Sequence, residues 1–347
     1  MKWITLKPMS MHFLINKFRF IFLPFSFLYW GITISRNFFY SIGFFISKRL
    51  TVPTISVGNI TIGGTGKTPI VIAIAQLLLK MDRHPGIISR GYGRRSTGCV
   101  PVSDGRRLLV PWEEAGDEPF MIAKKLPSVP VVVDEEKYRG ANYAIEKFNV
   151  DIILLDDAFQ HRSVERDLDI VLFNSCDPKE YYRMLPYGRL REPIRSVRRA
   201  DFIIWSRADQ KSPSNSIKKA LDVTKYKQIK TGLKVESTTN LKGKKVFAFC
   251  GIGDPNSFYK ILQEQGAKIL ELKIFPDHHN YSVGEINNLK MKAEQLKADY
   301  IVTSEKDWVK ISHWKEDLNL ITPIPIKLNW FNNSEQVIIE RIKSLLH

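Results

Sequence analysis

From residue 51 onward the chain alternates short apolar runs with longer stretches of mixed polarity. The runs at Thr54–Val57, Ile87–Ser89, Val129–Val133, Val150–Asp157, Leu168–Phe173 and Phe202–Trp205 carry little period-two polarity. Such runs predict parallel strands covered on both faces. Helical patterns fall between them, opening at Lys67-Thr68 and covering Phe120–Leu126 and Ala141–Phe148. Residues 207–240 are polar, rich in Lys, Ser and Thr and weakly periodic, which predicts a linker. A second alternating unit follows. It comprises a strand at Val246–Cys250, a turn, a helix at Ser257–Gln265, a strand at Ile269–Phe275, a helix at Val283–Leu296 and a strand at Tyr300–Val302. With 347 residues, two domains with real cores are expected.

The first fifty residues break this pattern. They hold 14 of the 39 aromatic residues and seven Lys or Arg, with no Asp or Glu. The uncharged run Phe20–Ser35 is shorter than the ~20 residues of a usual spanning helix, and Pro24 interrupts it. No small-residue cleavage site follows, so a removable signal peptide is not expected. Three arrangements fit. One is a pair of interfacial amphipathic helices, with Trp3, Tyr29 and Trp30 at headgroup depth and Arg19, Arg36, Lys48 and Arg49 on anionic phosphates. The others are a short tilted span and a buried aromatic helix of the soluble domain.

Composition changes the picture in two ways. The net charge of +16 favours anionic partners, whether nucleic acid, acidic lipid or phosphorylated substrate. Cys99, Cys176 and Cys250 are widely spaced, which fits neither a disulfide framework nor a zinc site and points to a reducing compartment.

Candidate chemistry centres on GNITIGGTGKT. An apolar strand, a glycine-rich turn and Gly66-Lys67-Thr68 at a helix start build a phosphate-binding loop. Gly63, Gly64, Thr65 and Gly66 would wrap backbone N–H groups around phosphate, Lys67 would reach the terminal phosphates and Thr68 would ligate Mg²⁺. Thr61 stands where the strict pattern has glycine. The run VDIILLDD ends an apolar strand in Asp156 and Asp157, as in a Walker B element that holds Mg²⁺. Two basic loops, Arg90–Arg95 and Leu185–Pro193, are either phosphate-neutralising or solvated. Asp117 opens a helical pattern, where a carboxylate is either a cap or a base. Asp277-His278 sits beside a strand end, structural or able to orient a catalytic carboxylate. Gly251-Ile252-Gly253 is too short for a second nucleotide fingerprint.

Taken together, GNITIGGTGKTP, SRGYGR, GDEP, LLDDAFQHR, GRLREP, CGIGDP, FPDHH and TSEKD resemble the tetraacyldisaccharide 4′-kinase (lipid A 4′-kinase) family over residues 50 to 310. That family's loop also lacks the first glycine. The resemblance implies an α/β fold: a P-loop NTPase-like three-layer α/β/α kinase domain (51–232) and a linker (233–245). A smaller C-terminal α/β domain (246–347) follows, and residues 1–50 form a membrane-associated helical segment. It implies transfer of the ATP γ-phosphoryl to the 4′-hydroxyl of a tetraacyldisaccharide 1-phosphate, forming lipid IVA at the cytoplasmic face of a bacterial inner membrane. The enzyme would be peripheral or held by a single N-terminal anchor. Asp117 then looks like the catalytic base, assisted by His278, with Lys67 and Arg191 on the phosphoryl group. Thr68, Asp156, Asp157 and Glu192 look like Mg²⁺-site residues, and Tyr92 a substrate-side residue. The implied partners are the acylated disaccharide lipid and an anionic membrane surface, without nucleic acid or an obligate protein partner.

The rival is a membrane-associated regulatory ATPase of the partitioning or metal-chaperone type. Those proteins carry a Lys just before the double glycine, where this chain has Ile62.

Overall fold

The computed structural model describes residues 19–222, 226–236, 239–314, 318 and 320–346. Helix α1 (Leu23–Ser41) leads into β1 (Thr54–Asn59), α2 (Lys67–Lys80), β2 (Pro85–Ser89), β3 (Val100–Asp104), α3 (Trp112–Ala115) and α4 (Asp117–Lys125). Then come β4 (Pro130–Val133), α5 (Lys137–Phe148), β5 (Ile152–Asp156), β6 (Leu168–Asn174), β7 (Phe202–Ser206), α6 (Asn215–Leu221) and β8 (Lys227–Val235). The second unit holds β9 (Lys245–Cys250), α7 (Pro255–Glu264), β10 (Lys268–Ile274), α8 (Val283–Gln295), β11 (Tyr300–Ser304), α9 (Glu305–Ile311) and β12 (Ile321–Ile324). Strand β13 (Ile326–Trp330) and helix α10 (Ser334–Leu346) close the described chain.

A nine-stranded sheet runs β13-β8-β7-β6-β1-β5-β2-β4-β3. It is parallel except at its edges, where β3 and β13 are antiparallel to their neighbours. Its central strands are buried along their whole length, which is why they read as continuous apolar runs. Ile55, Val57, Leu154 and Ile170 face α2 and α4 on one side, while Ile153, Leu155, Ala141 and Ala144 pack on the other. Three layers result. A four-stranded parallel sheet, β10-β9-β11-β12, forms the second domain. Asp254 caps α7, and a reciprocal Ser282–Glu285 capping box starts α8.

The expected linker at 207–240 contains α6 and β8, and β8 belongs to the large sheet. The second domain does not run unbroken to the end. Strand β13 returns to pair antiparallel with β8, and Ile338 and Ile342 of α10 join the core of the first domain. Strand β13 is only five residues long and half-polar, so its pattern does not reveal which sheet it completes.

Helix α1 inverts the polarity of an ordinary surface helix. Its buried residues are Ser26 and Thr33, while Phe25, Phe27, Leu28 and Ile32 are each about 60% exposed or more. Of the three arrangements, the one that buries these aromatic residues in the soluble core is therefore overturned. Pro24 lies in the first turn, where its missing N–H costs nothing, instead of interrupting the helix. Four placements at the membrane surface also change. Tyr29 donates its hydroxyl to the Arg191 carbonyl at 2.9 Å, and Arg36 pairs with Glu192. Arg49 pairs with Asp167, and Lys48 lies over the Tyr138 ring. Trp3, like the rest of residues 1–18, falls outside the described residues. No described helix is long and apolar enough to cross a membrane.

Candidate active site

The phosphate loop sits at the carboxyl end of β1, in the centre of the large sheet. In open α/β sheets this edge receives ligands. Gly66 adopts φ +79° as it turns the chain into α2, a conformation that L side chains disfavour. Asn59 braces the loop by donating to the Thr65 hydroxyl at 2.9 Å. Lys67 Nζ stands 3.5 Å from Asp157, and Arg191 Nη1 reaches the same carboxylate at 3.0 Å. Burial pushes the Asp157 carboxyl up, but the Lys67 and Arg191 charges outweigh it and hold it at about 2. Asp157 is therefore ionised at neutral pH.

Its neighbour behaves differently. Asp156 is nearly fully buried, and desolvation pushes its carboxyl up to about 6 although Lys137 opposes the shift. Ser89 donates to Oδ2 at 2.8 Å, while buried Oδ1 has no hydrogen-bond partner. Lys137, wholly buried beneath, donates to the carbonyls of Ile88 and Asp156, and burial brings it down to about 8.

Asp117 begins α4 without being its N-cap, which is Gly116, although its Oδ1 accepts the Glu118 backbone N–H at 2.9 Å. Its buried carboxylate also meets His278 Nδ1 at 2.9 Å, across 161 residues and the domain boundary. Lys310 Nζ lies 3.4 Å away and Lys306 Nζ 3.9 Å away. Burial raises this carboxyl, but the His278 bond and the two ammonium groups bring it below the ordinary carboxylate value. The Asp117 contact raises His278 in turn, against burial. His279 does not compete for this position, since its ring stacks on Phe275 and contacts Glu285 at 3.1 Å. The exposed Tyr92 ring lies 5.3 Å from that of His278.

Lys67, Thr68, Asp117, Asp156, Asp157, Arg191, Tyr92 and His278 thus line one interdomain cleft of about 980 Å³. Glu192 does not line it. Its wholly buried carboxylate accepts from Arg36 on one oxygen and from Asn37 and Arg199 on the other. The expectation of a metal-site role for Glu192 is corrected accordingly, because its oxygens are consumed in fastening α1. Lys306 went unassigned in the sequence, although TSEKD marked its position. It contacts Glu118 at 3.0 Å, Asp277 at 3.2 Å and His278 Nε2 at 3.3 Å. Glu118, within GDEP, also lies 3.5 Å from the Thr68 hydroxyl. Arg207 was missed too. It donates to the Gly64 carbonyl at 3.3 Å and pairs with Asp254 of the second domain, tying both domains to the phosphate loop.

A glycine-rich loop at a helix start, facing an Asp–His pair across a cleft between two α/β domains, has the geometry of a P-loop phosphotransferase. The family model for tetraacyldisaccharide-1-P 4′-kinase matches residues 18–346, so the chain belongs to that family. The tetraacyldisaccharide 4′-kinase of Aquifex aeolicus is 42% identical over 264 residues, covering 75% of this chain and 82% of that protein. The Desulfotalea psychrophila kinase of the same name is 39% identical over 315 residues, covering 87% and 90%. A crystal structure of the Aquifex aeolicus protein in complex with ATP superposes with TM-score 0.77 at 34% identity, covering 95% of this chain and 99% of that one.

Proposed function

We propose that this chain transfers the γ-phosphoryl group of ATP to the 4′-hydroxyl of a tetraacyldisaccharide 1-phosphate, yielding lipid IVA. Besides family membership, the observation that carries the proposal is the Asp117–His278 contact, which faces the phosphate loop from across the cleft.

Phosphoryl transfer demands positioning and charge neutralisation more than covalent help. The backbone N–H groups of Gly63–Gly66 and the α2 N-terminus cradle the β- and γ-phosphates. Lys67 and Arg191 now share Asp157, and both turn their charge to the transferring group when ATP fills the cleft. The incoming hydroxyl gives its proton to Asp117 late, as the bond to phosphorus forms. A carboxylate with so low an affinity for protons suits a loose transition state, in which the nucleophile stays protonated until charge has shifted. His278 holds that carboxylate in place through Nδ1–H. Tyr92, exposed beside His278, fits a sugar-facing role.

The cleft suits Mg²⁺. Asp156 and Thr68 both line it, and the buried Asp156 Oδ1 has no hydrogen-bond partner. Among the described residues no cluster of three or more His, Cys, Asp or Glu forms a closed cage. Mg²⁺ takes one or two carboxylates together with phosphate and water. Thr68 and Asp156 would hold the ion and Asp157 its water shell; bound there, it would neutralise β- and γ-phosphate charge.

The exposed apolar face of α1 supports peripheral binding to an anionic membrane, which we assign to the cytoplasmic side, where ATP is available. The test is ³²P transfer from ATP in detergent micelles with the disaccharide 1-phosphate lipid as acceptor. Lipid-dependent product that falls ~10²–10⁴-fold in Asp117→Ala is expected. Full activity in that variant would refute the base, and ATP hydrolysis indifferent to lipid would refute the kinase.

A further inference from the structure

A second cavity, of about 850 Å³, runs between α1 and residues 182–199, and it shares no lining residue with the catalytic cleft. Trp30 and Ile34 of α1 form one wall, and Met184, Leu190 and Ile194 the other. Leu190 and Pro193 line this groove, whereas Arg191 between them points into the catalytic cleft at Asp157. The two openings therefore lie on opposite sides of one segment.

The groove's charge is one-sided. Arg162, Arg183, Arg195 and Arg199 line it, and no Asp or Glu does. Arg199 is neutralised by Glu192, and Arg162 is held by the Asn37 carbonyl, while Arg183 and Arg195 are exposed at the rim. Phe27 and Phe38, about 60% exposed or more, form lips continuous with the outward apolar face of α1. An apolar trough opening onto an apolar helix face, with basic groups at its rim, is complementary to an amphiphile with an anionic head.

We propose that this groove binds one acyl chain of an anionic bilayer phospholipid, with the phosphate held by Arg183 and Arg195. The lipid is distinct from the substrate, because the groove faces away from the cleft that receives the 4′-hydroxyl. It would wedge α1 against the segment that carries Arg191. The inference rests on the membrane placement of α1 proposed above.

The test uses the full chain with phosphatidylglycerol or phosphatidylcholine vesicles carrying a diazirine in one acyl chain, with adducts mapped by peptide mass spectrometry. Phosphatidylglycerol adducts are expected at Trp30, Met184 and Ile194 in at least ten-fold excess over Phe25 and Ile32. Ile194→Trp, which fills the groove, should lower them ten-fold. Arg183→Glu with Arg195→Glu, both at exposed positions, should abolish the preference for phosphatidylglycerol, each arginine being worth roughly five-fold.

Labelling spread evenly over α1, or unmoved by both variants, would overturn the proposal. So would displacement of the groove adducts by one equivalent of the disaccharide lipid, which would make the groove a substrate subsite. Co-sedimentation with vesicles separates the two layers. Binding without groove adducts refutes the groove alone. Groove adducts from the same probe in detergent micelles, without vesicle binding, refute only the membrane placement.

Discussion

Lys306→Ala probes the electrostatics of the Asp–His pair most directly. The ammonium stands 3.9 Å from Asp117, 3.0 Å from Glu118 and 3.2 Å from Asp277, with the side chain mostly buried. At an effective dielectric of ~20, a pair ~4 Å apart gains ~4 kcal/mol before solvation is counted. Lys310 remains 3.4 Å from Asp117 and takes over part of this stabilisation. The expected net loss is on the order of 1–3 kcal/mol, or roughly 5- to 150-fold in kcat/KM. The sign of the pH effect follows from the same geometry. Burial pushes the Asp117 carboxyl up and the ammonium groups push it down, so removing one lets the carboxyl rise. The acid limb of the kcat/KM profile should then move to higher pH, making the loss larger at pH 5 than at pH 8. Lys306→Arg, which keeps the charge but not the shape, should restore the limb more than the rate. Loss of activity with an unmoved acid limb would show that Lys306 acts through shape alone and refute the electrostatic reasoning.

Asp156→Asn should raise the Mg²⁺ concentration needed for half-maximal phosphate transfer at least ten-fold, whereas Glu192→Gln should leave it unchanged; a Mg²⁺ titration of both variants decides whether Glu192 belongs to the metal site. Glu192→Ala strands the partly exposed Arg36 and Arg199 without their shared carboxylate, and loss of these charge-assisted hydrogen bonds typically costs ~1.5–3 kcal/mol. Faster proteolysis within residues 23–41 is the expected readout. The folded-state value of Asp157, about 2 against an ordinary 3.8, contributes stability that is present above pH 3.8 and lost as pH falls toward 2. After solvent screening this is on the order of 1–2 kcal/mol. Asp157→Asn should therefore flatten the acid-unfolding curve in that window. In Gly58→Ala the added methyl would meet the Phe159 backbone nitrogen and Cβ at 2.7 Å. Overpacking of this kind costs ~1–3 kcal/mol, visible as a lower Tm.

Local pattern carried much of this protein. Strand β1, the glycine turn and Lys67-Thr68 were legible because a phosphate loop is a contiguous backbone device whose parts lie together along the chain, here from Thr54 to Thr68. The buried strands of the large sheet were legible because parallel strands with both faces covered must be apolar throughout. Asp117 was ambiguous, since a carboxylate at a helix start is equally a cap or a base until its partner is known. The family resemblance named His278 as that partner, and the tertiary structure brings the two into contact by setting the Pro276–His279 turn of the second domain over the start of α4. The same long-range placement recruited Lys306 and Lys310, turned Glu192 inward to fasten α1, and sent β13 and α10 back to the first domain. Polarity alone could not orient α1, because its buried face is the polar one, chosen by the hydroxyls, carbonyls and carboxylate it docks against. The sequence by itself therefore determined the nucleotide half of the site, where chemistry and chain neighbours coincide. The acceptor half was decided by tertiary structure, because its groups meet only after two independently patterned domains pack together.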